Sequence, residues 1–167
     1  MQSLEPPDSH HLDAAVGWLG LGCADEARAA FGQVSARYQK HSRVLEARWS
    51  LAAFEHQWDD ALRIASEELA QLPGDAGGWL RRAYALRRVT GGGLAQAWDA
   101  LLPAAKKFPT EPVIAYNLSC YACQMAQLDI ARHWLQRAVM IGQKDGIKKM
   151  ALADEDLQPL WPEIEEL

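Results

Sequence analysis

The sequence has few cysteines, no long apolar run and no excess of basic residues, and each shortage excludes a class of protein. Three cysteines among 167 residues are few and odd in number, unlike the disulfide framework of a secreted domain. No apolar run approaches the roughly 20 residues of a membrane-spanning helix, and the opening MQSLEPPDSHH lacks the basic and apolar regions of a signal peptide. The formal charge is −5. We therefore expect a soluble domain in the cytoplasm.

What the sequence does have is an internal repeat. A small residue, a large apolar residue four positions later and a small residue three further on form a pattern that is clear in three places and weaker in a fourth. The clear copies are Ala27-Phe31-Val34, Ala97-Leu101-Ala104 and Ala131-Leu135-Ala138, and the weaker copy is Ala61-Ala65-Glu68. The first residues of successive copies are 34, 36 and 34 positions apart. A period of this length is typical of repeat folds.

Each repeat divides into two stretches of helical length and period, and no alternating strand pattern competes with them. The first stretches are predicted at 8–21, 43–55, 78–89 and 112–125, and the second at 25–38, 59–72, 94–108 and 129–141. Pro73 and Pro109 follow two of the second stretches, where the helix should end. Pro103 lies inside a second stretch and predicts a kink or a lost hydrogen bond there.

At these positions the chain resembles the tetratricopeptide repeat (TPR) family, whose unit is a helix-turn-helix of about 34 residues. The resemblance covers four units, at 8–41, 42–75, 76–111 and 112–145. It is clearest in the fourth, which carries Tyr116, Leu118, Ala122, Leu128, Ala131, Leu135 and Ala138. The first unit departs most, with His11 in place of a bulky apolar residue and Gln39 in place of the closing proline. Residues 146–167 are similar to the capping stretch of bacterial members.

The resemblance implies an all-α superhelix, a solenoid of antiparallel helix pairs with a C-terminal capping helix. In such a superhelix the concave groove holds a partner and is lined by the first helix of each pair. In this chain the lining positions carry Leu12, Val16, Arg43, Glu46, Ser50, Phe54, Leu80, Arg81, Tyr84, Arg87, Arg88, Tyr116, Asn117, Cys120, Cys123 and Gln124. Apolar side chains alternate there with arginines, so the expected partner is a peptide or helix with acidic and apolar residues.

Leu12 and Val16 stand where members that clamp chaperone tails carry Lys and Asn, which argues against that mode of binding.

Two further interpretations stay open at this point, one about self-assembly and one about the acidic tail. The alternative function is self-assembly into a homo-oligomer, as in TPR-type secretion chaperones, through the first unit or the region of Trp161. Residues 150–167 hold six acids and no base. This tail is either a solvated cap or a segment that competes for the arginines of the groove.

The sequence offers no visible apparatus for catalysis, so we expect no enzyme, cofactor or metal. Cys120 and Cys123 form a C-x-x-C pair, but no preceding strand or further ligands accompany it, and packing is the expected role. No two of the five histidines are four residues apart, which excludes a zinc-protease helix. Arginines cluster at 81–88, yet nucleic acid binding commonly needs about six to ten phosphate contacts, and this short cluster supplies about half of them. We therefore expect no nucleic acid partner. The seven tryptophans are expected mainly in the core, with Trp161 as a candidate interface residue.

Overall fold

The computed structural model describes residues 3–167, and within that range every regular element is helical. The predicted all-α class is therefore confirmed. Ten α-helices and two short 3₁₀ segments make up the described chain. They form two compact units, one ending at Ala85 and the other running from Leu86 to Leu167. No helix of the described range is both long and apolar enough to cross a membrane.

The first unit is built from two helical hairpins and a fifth helix. Its helices are α1 (Asp8–Gly20), α2 (Ala24–Gln33), α3 (Ser42–Phe54), α4 (Trp58–Gln71) and α5 (Ala76–Leu86), the last residue of which belongs to the second unit. Helix α1 packs on α2 and α3 packs on α4, and α3 also contacts α1 and α2. Leu12, Phe31 and Val44 lie at the centre of the core that these helices share. Each hairpin buries an apolar stripe that a single helix would expose.

The second unit is organised around α7. Its further elements are α6 (Leu94–Lys107), α7 (Pro112–Gln124), α8 (Leu128–Ile141), α9 (Lys144–Leu152), a 3₁₀ segment (Glu155–Leu160) and α10 (Trp161–Glu165). Helix α7 packs against α6, α8 and the 3₁₀ segment. Nine of the thirteen residues of α7 are buried as a result. The C-terminal chain therefore covers a helix face that the hairpin partner alone would leave open.

Three interhelix turns share one backbone geometry. After α1, α3 and α7 the chain reverses through a single left-handed residue, at Gly22 (φ 75°), His56 (φ 56°) and Ala126 (φ 60°). In each turn the next amide donates to the carbonyl five residues earlier, at 2.9, 2.8 and 2.9 Å. These are Schellman turns, which satisfy helix-end carbonyls that would otherwise lack partners. Their spacing along the chain matches the repeat length read from the sequence.

The turn between α5 and α6 is longer and depends on glycine. The amide of Gly93 donates to the Leu86 carbonyl at 2.9 Å, which pulls the loop back onto the end of α5. A Cβ atom on Gly92 would lie 2.0 Å from the same carbonyl oxygen. No side chain fits at that distance. The extra residues of the third predicted repeat therefore form this glycine loop.

The observed helices differ from the prediction in three places. Helix α2 ends at Gln33, short of 38, because Val34 is extended and a 3₁₀ turn follows at Ala36–Tyr38. Helix α5 ends at Leu86, short of 89, so Arg87 and Arg88 lie in the turn after it. At Pro103 the prediction of a lost hydrogen bond fits, since the proline has no backbone donor and α6 continues through it to Lys107. The predicted capping helix is three short pieces, because Asp154 accepts from the amide of Asp156 and starts a new turn.

Candidate functional site

In the first unit an open hollow lies between α1 and α3, the first helices of its two hairpins. It encloses about 430 Å³ and is lined by Leu12, Val16, Leu19, Gly20, Arg43, Glu46, Ala47 and Ser50. Leu12 forms its buried floor, whereas Val16 stands at its edge with 51% of its surface exposed. Five of these eight residues belong to the set predicted from the family resemblance. The hollow therefore combines an apolar floor with one cation and one anion at its rim.

Further apolar side chains of the predicted lining lie on α3 and α5. Phe54 lies one helical turn after Ser50 on α3 and is 50% exposed. Tyr84 on α5 packs edge-on against Trp49, with ring centroids 5.9 Å apart, and lies 5.9 Å from the ring of Trp58. These aromatic contacts fix the Tyr84 ring while part of it stays accessible. Leu80, also predicted in the lining, is half-buried.

The arginines of the predicted lining are occupied by carboxylates of the same chain. Arg43 pairs with Asp13 at 3.1 Å, and both side chains are largely exposed. Arg81 donates to both oxygens of Glu68, at 2.8 and 2.5 Å, and lies 3.2 Å from Glu46. Because the Glu68 side chain is almost fully buried, Arg81 is required to neutralise it. Its burial opposes the charge, but Glu68 outweighs that effect and raises the pKa of Arg81.

In the second unit the C-terminal segment lies on the predicted binding face of α7. Arg87 donates through both terminal nitrogens to Asp156, and the Nη2 to Oδ1 distance is 2.8 Å. The Tyr116 hydroxyl donates to Asp154 Oδ2 at 2.8 Å, and the Cys120 thiol lies 3.5 Å from the same oxygen. The Gln124 amide donates to the Asp156 carbonyl at 3.1 Å. Four residues predicted to bind a partner thus bind this segment.

Apolar anchors fix the same segment next to its acids. Leu157, Leu160 and Ile164 are completely or almost completely buried. Trp161 donates its indole N–H to the Ala151 carbonyl at 3.0 Å and is half-buried, so it packs inward. The prediction of Trp161 as an exposed interface residue is not supported. The expectation that the tryptophans lie mainly in the core is also wrong: none of the seven is fully buried, and Trp18 at the end of α1 is the most exposed, at 42%.

Burial sets the protonation of the groups under the acidic segment. It raises the pKa of the Tyr116 hydroxyl and of the Cys120 thiol well above their usual values, and the charge of Asp154 adds to both effects. The pKa of Cys123 is also raised, mainly by burial. The Tyr116 hydroxyl and the Cys120 thiol are therefore neutral near pH 7 and act as hydrogen-bond donors to Asp154. The C-x-x-C pair has none of the thiolate character that redox cysteines need.

The acidic segment also brings together three atoms of the kind that bind metals. The Cys120 sulfur and oxygens of Asp154 and Asp156 lie within 4.8 Å of one another. Arg87 already holds both oxygens of Asp156, and its positive charge opposes a cation at that place. We therefore interpret this cluster as an ion pair with two supporting hydrogen bonds.

The sequence analysis kept open that the acidic tail competes for the arginines of the groove, but it did not single out Asp154 and Asp156 as the partners of this face. The one available signal was the tail composition, six acids and no base, beside an arginine-rich first helix. Of the neighbouring predicted positions, Asn117 donates to the Val113 carbonyl of its own helix at 2.9 Å, and Arg88 is half-buried.

Comparison with known proteins assigns no family to this chain. No protein-family model and no curated protein matches it. Its function therefore has to be inferred from the helices and side chains themselves.

Proposed function

We propose that this chain is a TPR-like repeat protein that binds a peptide or helix of a partner protein and catalyses no reaction. The repeated Schellman turns at Gly22, His56 and Ala126 support a repeat of helical hairpins. The resemblance in sequence adds the expectation of a bacterial, cytoplasmic protein. Within this proposal, the first helices of the hairpins carry the binding surface.

The hollow between α1 and α3 is the single observation that carries the proposal. A monomeric protein rarely leaves large apolar side chains together on one face unless another molecule covers them. Val16, which borders the hollow, and Phe54, one helical turn beyond its lining residue Ser50, are both about half exposed, and Leu12 is the buried apolar floor of the hollow. A side chain of Leu or Phe size on a partner would fill this space and lose contact with water.

The charges at the rim refine the expected partner. Arg43 and Glu46 already have partners in Asp13 and Arg81, so neither demands an external charge. Exposed pairs of this kind exchange readily, because each contributes only about 0–1 kcal/mol. We therefore propose that apolar side chains anchor the partner at the hollow and that Arg43 adds a weaker contact with a carboxylate.

Site-specific photo-crosslinking tests this function. A photoreactive phenylalanine analogue placed at Val16, and separately at Ser50, is exposed to a lysate of the source organism. Both positions should give a covalent adduct with the same protein, and Val16→Asp should reduce capture from Ser50 at least about tenfold. The matched control is Met140, an apolar residue on α8 that is 84% exposed. The absence of a common adduct, or an equal adduct from Met140, would contradict the proposal.

Self-assembly is the second candidate, and exposed apolar residues at the end of α1 favour it. Trp18 and Leu21 are both exposed there and lie three residues apart. A second copy that buries them would form a homodimer. Light scattering at two protein concentrations separates the candidates: a mass that doubles with concentration and returns to the monomer in Leu21→Ser supports self-assembly, whereas a constant monomer mass excludes it.

A further inference from the structure

The acidic segment on α7 has the properties of a bound peptide. Its regular part is a single 3₁₀ stretch, Glu155–Leu160, which begins after Asp154. It contributes two carboxylates and one backbone carbonyl to side chains of α7 and of the turn that follows α5, and one fully buried leucine. Proteins recognise short peptides by the same combination of charge-assisted hydrogen bonds, a backbone hydrogen bond and an apolar anchor.

We propose that the face formed by Arg87, Tyr116, Cys120 and Gln124 is a recognition site for an acidic partner segment of the pattern Asp-x-Asp-Leu. Residues 154–157 of the chain occupy it until such a partner replaces them. This proposal rests on the proposed function, since it names a second binding surface and the chemistry of its ligand.

The distribution of polar contacts separates recognition from simple covering. Leu157 and Leu160 are buried on the 3₁₀ segment that packs against α7, and burial of a leucine needs no carboxylate nearby. Ion pairs withdrawn from water add little net stability, because desolvation offsets most of the attraction. Their main effect is selection, since Arg87 and Tyr116 left without an acid would lose their hydrogen bonds. The site therefore requires an acid, whichever chain supplies it.

The two acids are also placed so that both must be present. Asp156 satisfies the guanidinium of Arg87, whereas Asp154 accepts from the neutral Tyr116 hydroxyl and faces the Cys120 thiol. A Glu or Asp in one position alone leaves the other donors unmatched. Glu155 between them is exposed and makes no polar contact that the structure describes. This pattern defines the spacing Asp-x-Asp and leaves the middle residue free.

Tethering explains why the internal segment occupies the site first. A segment attached to its own site competes at an effective concentration in the millimolar range, so an external peptide binds with reduced apparent affinity. Weakening the internal segment removes that competition. Apparent affinity should then rise by the factor by which the open form becomes more populated.

The experiment uses the full chain and a labelled peptide, ALADEDLQPLW, which copies residues 151–161. Fluorescence anisotropy measures its affinity for wild type and for Asp154→Asn/Asp156→Asn, in which the internal segment loses the two charges that contact the site. The double variant should bind the peptide at least about tenfold more tightly than wild type. Addition of Arg87→Gln should abolish that gain, and a peptide with both aspartates changed to asparagine should bind at least about tenfold more weakly.

The control is Glu155→Gln/Glu166→Gln, which changes the net charge by the same amount at exposed acids. It should keep the wild-type affinity. Equal affinity of the double variant and wild type would overturn the proposal, as would a gain that survives Arg87→Gln. A gain that appears equally in the control would show only a charge effect and would also overturn it.

Wild type provides a second measurement that needs no altered segment. Excess isotope-labelled peptide should speed hydrogen exchange of the amides of residues 155–161 at least about threefold, because the peptide displaces them. Unchanged exchange would contradict displacement, and a dimer that exchanges its own segments would identify a second copy as the occupant and contradict an external partner. If photo-crosslinking at Val16 gives adducts but the peptide experiment fails, only the proposed site on α7 is contradicted. If the peptide binds as expected but Val16 gives no adducts, the proposed binding surface between α1 and α3 is contradicted instead.

Discussion

Two helices that each open a hairpin, α1 in the first unit and α7 in the second, have equal length but very different surroundings. Helix α1 and helix α7 each contain thirteen residues, and three are buried in α1 against nine in α7. Helix α7 packs against α6, α8 and the C-terminal segment, whereas the hollow beside α1 stays open. Similar local sequence patterns thus produce an accessible face in one unit and an occupied face in the other. The chain outside the repeat therefore contributes to the burial of α7.

The largest expected difference between the two faces is in their apolar anchors. Leu157→Ala should lower the free energy of unfolding by about 3 kcal/mol, because the side chain is fully buried and its removal leaves a cavity. Val16→Ala should lower it by about 0.5 kcal/mol or less, since half of Val16 already faces water. Urea denaturation followed by circular dichroism measures both. Equal losses would show that the faces do not differ in burial.

The arginines of the two faces should differ by a smaller amount. Arg87→Gln should lower the free energy of unfolding by about 2 kcal/mol, because it breaks a largely buried bidentate pair with Asp156. Arg43→Gln should lower it by about 0.5 kcal/mol or less, since its pair with Asp13 is exposed and screened by water. The same denaturation experiment, repeated in 0.5 M salt, should remove most of the Arg43 effect and little of the Arg87 effect. A strong salt dependence at Arg87 would contradict its burial.

The Schellman turns should behave alike in the two units, in contrast to the faces. Ala126→Gly should raise the free energy of unfolding by about 0.5–1 kcal/mol, because glycine adopts a left-handed conformation without steric strain. Gly22→Ala should lower it by about 1 kcal/mol for the same reason. Thermal unfolding of each variant measures the shift. A change of equal sign in both would show that the backbone geometry of the turns differs.

The smallest effect concerns pH and belongs to the first unit alone. The Ser35 amide donates to Asp8 at 2.6 Å, and this bond holds the pKa of Asp8 below its usual value. A carboxyl with a lowered folded pKa adds stability above its unfolded pKa, near about 3.9, and loses it as the pH falls through the folded pKa. The stability advantage of wild type over Asp8→Asn should therefore shrink between about pH 5 and pH 3. Urea midpoints at both pH values measure it, and a constant advantage would contradict the assignment.

Most helix positions could be predicted from the sequence because their signals are local. Apolar spacing located eight helices, and the small residues and prolines between them marked most of the ends correctly. The end of α2 was missed because Asp8, 27 residues away, holds the chain in an extended turn at Ser35. The segmentation of the C-terminal chain was missed for a related reason, since Asp154 caps a new turn inside an apparently continuous pattern.

The accessibility of the binding positions could not be predicted in the same way. The sequence located Arg81 and Arg87 on first helices, but their occupants, Glu68 and Asp156, lie 13 and 69 residues away. Pairing over such distances depends on the folded chain and leaves no periodic signal. The open positions Val16 and Phe54 were correctly predicted to lie on first helices. Their exposure depends on how α1 and α3 pack within the first unit, which no local pattern of the sequence records.

The unequal burial of the three thiols makes the protein suitable for attaching a single dye. Cys120 and Cys123 are buried and their raised pKa values keep them protonated, whereas Cys23 is only half-buried. The thiolate is the form of cysteine that attacks a maleimide, so brief labelling near pH 7 favours the more accessible Cys23. This residue follows α1 by three positions and comes soon after Leu19 and Gly20 of the hollow's lining. The emission wavelength or lifetime of a fluorophore attached there would change when a ligand binds beside it.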